Sequence, residues 1–149
     1  ERPVVSNQQL FFDRVLFRND AASFGLGLVC PASVQSSSAT ASLVVPLAGT
    51  GVLTLRQIFP YTLGANIGTT VTAILASFST GSPAAVTIAL AHLTFNLFGN
   101  TIYCPPSALP IWLAQKAGKI ASRSRGSSAM VVVIYVALIV LPLIYIFAL

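Results

Sequence analysis

Residues 21–55 read AASFGLGLVCPASVQSSSATASLVVPLAGTGVLTL, two apolar arms around a polar knot at Gln35–Ser42, with Arg56 closing the stretch. As α-helix, these 35 residues cover roughly 52 Å at 1.5 Å per residue. That is too long for one crossing of a hydrocarbon core about 30 Å thick, and too short for two crossings with a turn. Irregular polar backbone at membrane depth is tolerated only where protein or a water-filled cavity surrounds it. Length and knot together predict a re-entrant hairpin: helix in, turn at the knot, helix out. A single long tilted span, hiding its serines against neighbouring helices, is the alternative.

The rest of the chain supports a membrane setting. Of 149 residues, 55% are hydrophobic and 7% charged, against about a quarter charged in an ordinary soluble domain. The mean hydropathy is +0.84. The net charge of +5 is no nucleic-acid footprint, because no basic stripe with interleaved aromatics accompanies it. All three acids (Glu1, Asp13 and Asp20) precede Ala21. From there on, paired-carboxylate catalysis, carboxylate metal cages and Ser-His-Asp triads are excluded. Met130–Leu149 is a 20-residue apolar run interrupted only by two tyrosine hydroxyls, long enough to span. The 59 residues 57–115 carry no formal charge, only His92, which leaves room for two spans and a turn at STGSP, Ser79–Pro83.

The expected organisation is an all-α membrane protein. A polar connecting segment covers 1–20 and a re-entrant hairpin 21–55. A span follows at 58–78, another at 84–103 closed by Pro105 and Pro106, an interfacial segment at 107–122 carrying Trp112, and a last span at 127–149. The chain starts at Glu1 without a signal-peptide pattern and ends within an apolar run, which reads as a piece of a longer polypeptide. Cys30 and Cys104 read as small buried hydrophobes rather than a disulfide. A hairpin that enters and leaves on one face puts Arg2, Arg14, Arg18, Arg56, Lys116, Lys119, Arg123 and Arg125 on the same side, as the positive-inside rule asks. Arg56 and the basic group at 116–125 then serve as interfacial anchors and topology signals, the latter touching anionic lipid.

Three polar motifs lie in these apolar segments. Gln35, Ser36, Ser37 and Ser38 at a hairpin tip form a neutral cup of donors and oxygens. Half-helix ends there aim backbone N–H groups at an anion, although serine runs also pack helices closely. GANIGTTVT, Gly64–Thr72, holds a GxxxG spacing that reads as a packing face. It also holds Asn66, Thr69, Thr70 and Thr72, costly to leave unpaired in lipid, so a partial unwinding of this span is expected, exposing carbonyls to an ion. His92, Asn96 and Asn100 share one helical face and either line a pathway or bond a neighbouring helix. A lone His makes no zinc site.

QSSSATASLVVPL, then GVLTLRQIFPYTLGANIGTTVTAILASF, then ALAHLTFNLFGN, in this order, resemble the type II sodium-dependent phosphate cotransporters, and within them the second of two inverted repeats. The resemblance runs from about Gly25 to Leu149. It implies half of an inverted-repeat transporter, each repeat with a hairpin ending in QSSS and a partly unwound helix. It implies phosphate binding by Gln35, Ser36, Ser37 and Ser38, and sodium binding by Gln35, Ser38, Asn66, Thr69 and Thr70. Ala39 departs from repeats with Thr after the triple serine, so one hydroxyl is missing. Only one QSSS is present, so the chain is expected to hold half a site and to need the first repeat of the same polypeptide. The function implied is sodium-coupled phosphate symport by alternating access, in a plasma membrane or bacterial inner membrane. Sodium is the coupling ion, with no other cofactor and no transition metal. A carboxylate-free cup suits this, since sodium offsets the anion's charge while proton coupling usually employs intramembrane carboxylates. The competing reading is a membrane scaffold or regulatory subunit without transport activity. A membrane enzyme lacks any nucleophile or base pair in the spans.

Overall fold

The computed structural model describes residues 16–103 and 107–148, and these are helical apart from short connections. Two compact units divide the chain, one up to Ser107 and the other from Ala108. The first holds α1 (Asp20–Val34), α2 (Ser37–Gly49), α3 (Leu55–Ser79) and α4 (Pro83–Tyr103); the second holds α5 (Ala108–Ala121) and α6 (Arg125–Ala148). Helices α3, α4 and α6 are long and apolar enough to cross a membrane. This is an all-α membrane protein.

Helices α1 and α2 have 15 and 13 residues, or about 22 and 20 Å, each short of a full crossing. Asn19 caps α1, its Oδ1 accepting from the Ala22 N–H at 2.7 Å. The two helices are joined by Gln35 and Ser36 alone. The expected knot is therefore mostly helical: Ser37–Ser42 form the first turns of α2. Two residues suffice because Gln35 takes the left-handed conformation (φ 56°, ψ 27°) that ends α1 while Ser36 is already the N-cap of α2.

After α2 the chain turns at Thr50–Thr54. The N–H groups of Val52 and Leu53 both donate to the Leu47 carbonyl, and Gly51 takes a positive φ of 75°. Thr54 and Gln57 then form a reciprocal cap: the Thr54 N–H donates to Gln57 Oε1 at 2.9 Å and the Gln57 N–H to Thr54 Oγ1 at 3.3 Å. Phe17, Val44, Leu53 and Tyr61 are buried together at this end, with the Phe17 and Tyr61 rings 6.0 Å apart. They tie the hairpin's mouth to the start of α3.

Helices α1 and α3 lie parallel and in backbone contact. The inward face of α1 is Ser23, Gly27 and Pro31, small or compact residues one helical repeat apart. A Cβ on Gly27 would collide with the Tyr61 carbonyl oxygen, one on Gly64 with that of Phe24, and one on Gly68 with that of Leu28. The glycine pair in α3 thus serves as a packing face, with Gly27 as its counterpart in α1. Approach this close is how small-residue motifs bring membrane helices together.

The expected unwinding in the second segment is absent: α3 is continuous from Leu55 to Ser79. Its threonine hydroxyls are satisfied without breaking the helix. Thr69 Oγ1 donates to the Ala65 and Asn66 carbonyls, Thr70 Oγ1 to Ile67 and Thr72 Oγ1 to Thr69. At the turn, Gly81 adopts φ 64° and α4 returns antiparallel along α3. In the second unit, Ser124 caps α6, its Oγ accepting from the Ser127 N–H at 3.1 Å. None of α6 is buried within this chain. Cys30 is free and half-buried. Cys104, Pro105, Pro106 and residues 1–15 of the expected connecting segment lie outside the described residues.

Candidate functional site

The geometry of the hairpin tip follows from its capping chemistry. Ser36 Oγ accepts the Ala39 N–H at 3.2 Å. The N–H groups of Ser37 and Ser38, in the first turn of α2, have no carbonyl one turn behind them. The positive end of the α2 dipole, equivalent to about half a charge, therefore lies beside these two hydroxyls. Thr40, one turn on, is buried and spends its hydroxyl on the Ser36 and Ser37 carbonyls, at 3.3 and 3.0 Å.

A cavity of about 280 Å³ opens between α2 and the first half of α3. Its polar lining is Ser37, Ser38, Thr40, Tyr61, Thr62 and Asn66, with Val44, Val45 and Ile58 forming an apolar wall. Among the described residues, no charged side chain lines it. Of the residues expected to hold phosphate and sodium, the structure brings Ser37, Ser38 and Asn66 to one cavity. Gln35 and Ser36 sit at the turn next to it but do not line it. Thr69 and Thr70 stand off it, Thr69 half-buried and Thr70 fully buried. A threonine hydroxyl that donates to its own helix keeps its oxygen lone pairs, so these bonds leave both oxygens able to accept. Tyr61 and Thr62 were not expected. The spacing Ile58, Thr62, Asn66, four residues apart on one α3 face, is the signal that finds Thr62.

The third polar motif divides. Asn96 Nδ2 donates to the Asn66 carbonyl at 2.9 Å and Asn100 Nδ2 to that of Leu63 at 3.1 Å. These two amides bond a neighbouring helix, fastening α4 to the α3 segment that carries Asn66. His92 is exposed and faces a separate shallow groove with Ile88 and Ala89 of α4 and Ala73 and Ser77 of α3.

Within the tip, Ser36 caps the helix while Ser37 and Ser38 line the cavity, and the separation is testable. Ser36→Ala should lower stability by about 1 kcal/mol, the usual cost of a lost N-cap. Ser36→Asn should restore it, whereas Ser38→Ala should leave thermal stability unchanged. Equal melting shifts for Ser36→Ala and Ser38→Ala would refute this division.

Short capped helices, a polar cavity with no charged side chain among its described lining residues and helices of membrane length define an integral membrane protein whose candidate site is a hydroxyl-and-amide cup. Residues 9–104 match the family described as Na+/Pi-cotransporter, and the chain belongs to that family, one of transporters rather than enzymes. It is 43% identical over 111 residues, 71% of its length, to sodium-dependent phosphate transport protein 2B of Bos taurus, covering 16% of that protein. To protein 2A of Ovis aries it is 42% identical over 97 residues, 62% of this chain and 15% of that one. To protein 2C of Homo sapiens it is 44% identical over 100 residues, 62% of this chain and 16% of that one. The chain thus spans about one sixth of the length of these relatives. No solved structure matches it.

Proposed function

We propose that this chain supplies one half of the substrate site of a sodium-coupled phosphate symporter of the plasma membrane. The observation that carries the reading is the shared cavity of Ser37, Ser38 and Asn66. Hydroxyl and backbone N–H donors at the start of α2 suit phosphate oxygens, and the helix dipole favours the anion's charge. Gln35, at the turn next to the cavity, adds its amide to the same anion site once the tip closes on the ligand. Sodium is a hard cation that takes amide, hydroxyl and carbonyl oxygens. Ser38 and Asn66 offer these at the cavity, and Gln35, Thr69 and Thr70 complete the set as the tip and α3 shift during the cycle. None of the described residues lining the cavity is charged, and the coupling ion offsets the phosphate. The mechanism is alternating access, with a second hairpin tip from the first repeat closing the site.

The scaffold reading draws support from two observations: Gly64 and Gly68 pack on α1, and Asn96 and Asn100 bond α3. It leaves the uncharged polar cavity without a purpose. The experiment that separates the two is a chimera. The segment of the Bos taurus protein aligned with this chain is exchanged for this chain's residues, and labelled phosphate uptake is measured in sodium and in choline. Sodium-dependent uptake supports the half-site. A folded, surface-expressed chimera without uptake supports the scaffold.

A further inference from the structure

We propose that the face of α5 bearing Trp112, Lys116 and Lys119, together with Arg123 in the turn that follows it, binds the headgroup of an anionic phospholipid. Trp112, Lys116 and Lys119 recur at i, i+4 and i+7, one side of a helix, and with Gln115, Ile120 and Arg123 they line a cleft of about 410 Å³. The Lys116 ammonium stands 4.1 Å from the centre of the Trp112 ring, a cation–π arrangement that holds the charge beside the indole. Three cations converge there, and the sequence has no carboxylate after Asp20 to neutralise them. None of the described residues lining the cleft is acidic, which leaves the cations free to take an anionic ligand.

The setting identifies that anion as lipid. Leu109 and Leu113, 53% and 54% exposed, flank the basic stripe on its apolar side. The helix therefore offers an apolar edge to acyl chains and a basic edge to phosphates, the pattern of a helix lying in the membrane interface. Only three residues, Ser122–Ser124, separate α5 from the membrane-length α6. Three residues reach at most roughly 11 Å, which keeps the cleft at headgroup depth beside the end of that span. Trp and snorkelling Lys or Arg side chains are at home at this level.

Trp112 is the sole tryptophan, so its fluorescence reports on this site directly. The full chain in detergent is titrated with dioctanoyl phosphatidylserine and, separately, with dioctanoyl phosphatidylcholine. A saturable spectral shift with the serine lipid, and at least tenfold weaker response to the choline lipid, is expected. The Lys116→Gln/Lys119→Gln/Arg123→Gln variant, altered only at exposed positions, should bind the serine lipid on the order of 100-fold more weakly, at about one factor of five per lost cation near an anionic surface. Its helix content, read by circular dichroism, should be unchanged. Equal response to both lipids, or undiminished binding by the triple variant, overturns the proposal. A saturable shift with inorganic phosphate alone at lipid-like concentrations also overturns it, and assigns the cleft to the free anion.

Discussion

Gly64→Ala is expected to destabilise the protein by about 3 kcal/mol, the upper end of what overpacking costs, and Gly64→Leu to prevent folding. Alanine is the better helix former by about 1 kcal/mol, so propensity alone predicts the opposite sign. The deciding contact is the Phe24 carbonyl, which a Cβ at Gly64 would strike. A backbone oxygen cannot swing aside as a side chain does. α1 and α3 must separate, and the pairing that holds the hairpin on α3 is lost along its length. Gly25 in α1 and Gly99 in α4 have open space where a Cβ would stand, and Gly25→Ala and Gly99→Ala should be neutral or slightly stabilising. Thermal unfolding of fluorescently tagged chimeras, followed by size-exclusion chromatography, measures all three. If Gly64→Ala melts with Gly99→Ala, the backbone contact does not hold the fold together.

The second large effect is on transport. In the chimera, Gln35→Gly and Ser37→Ala/Ser38→Ala should each bring sodium-dependent uptake to background while the protein stays folded. Gln35 is the one non-glycine residue with positive φ among those described, and glycine adopts that conformation without the ~1–2 kcal/mol that an L side chain costs there. Gln35→Gly thus removes the amide and relaxes the turn, so lost uptake cannot be blamed on a broken hairpin. Ser37 and Ser38 line the cavity and cap nothing. A hydrogen bond to a charged group contributes about 1.5–3 kcal/mol, so losing two weakens apparent phosphate affinity on the order of 100-fold or more. Near-normal uptake with unchanged sodium dependence in either variant would remove the tip from the site.

Much of the architecture was legible because hydropathy and helix length are sums over neighbouring residues. The uncharged stretch 57–115 and the breakers at Ser79–Pro83 predict spans at 58–78 and 84–103, and the helices run Leu55–Ser79 and Pro83–Tyr103. The arithmetic on residues 21–55 yields two short helices and a turn, as found. It misjudged the turn's extent, because composition treats Ser37–Ser42 as a polar run and cannot see that Ser36 alone, as N-cap, starts a helix there. The unwinding expected at Gly64–Thr72 failed for a related reason. Threonine hydroxyls are costly in lipid only if unpaired, and here each finds a carbonyl of its own helix.

By itself the sequence determined the solvent and most of the helices: an apolar chain without a carboxylate beyond Asp20 is a membrane protein whose helices from Ala21 onward bring no acid to the cup. Only the tertiary structure decided which residues meet. Gly27 is one glycine among ten until α1 lies parallel to α3 and its backbone touches Tyr61. Asn66 is one amide of a packing motif until the same register turns it towards Ser37 and Ser38, with Asn96 fastened to its carbonyl. Which faces of two helices touch depends on their crossing and register, set by contacts between residues some 40 positions apart, and no window of local sequence contains that information.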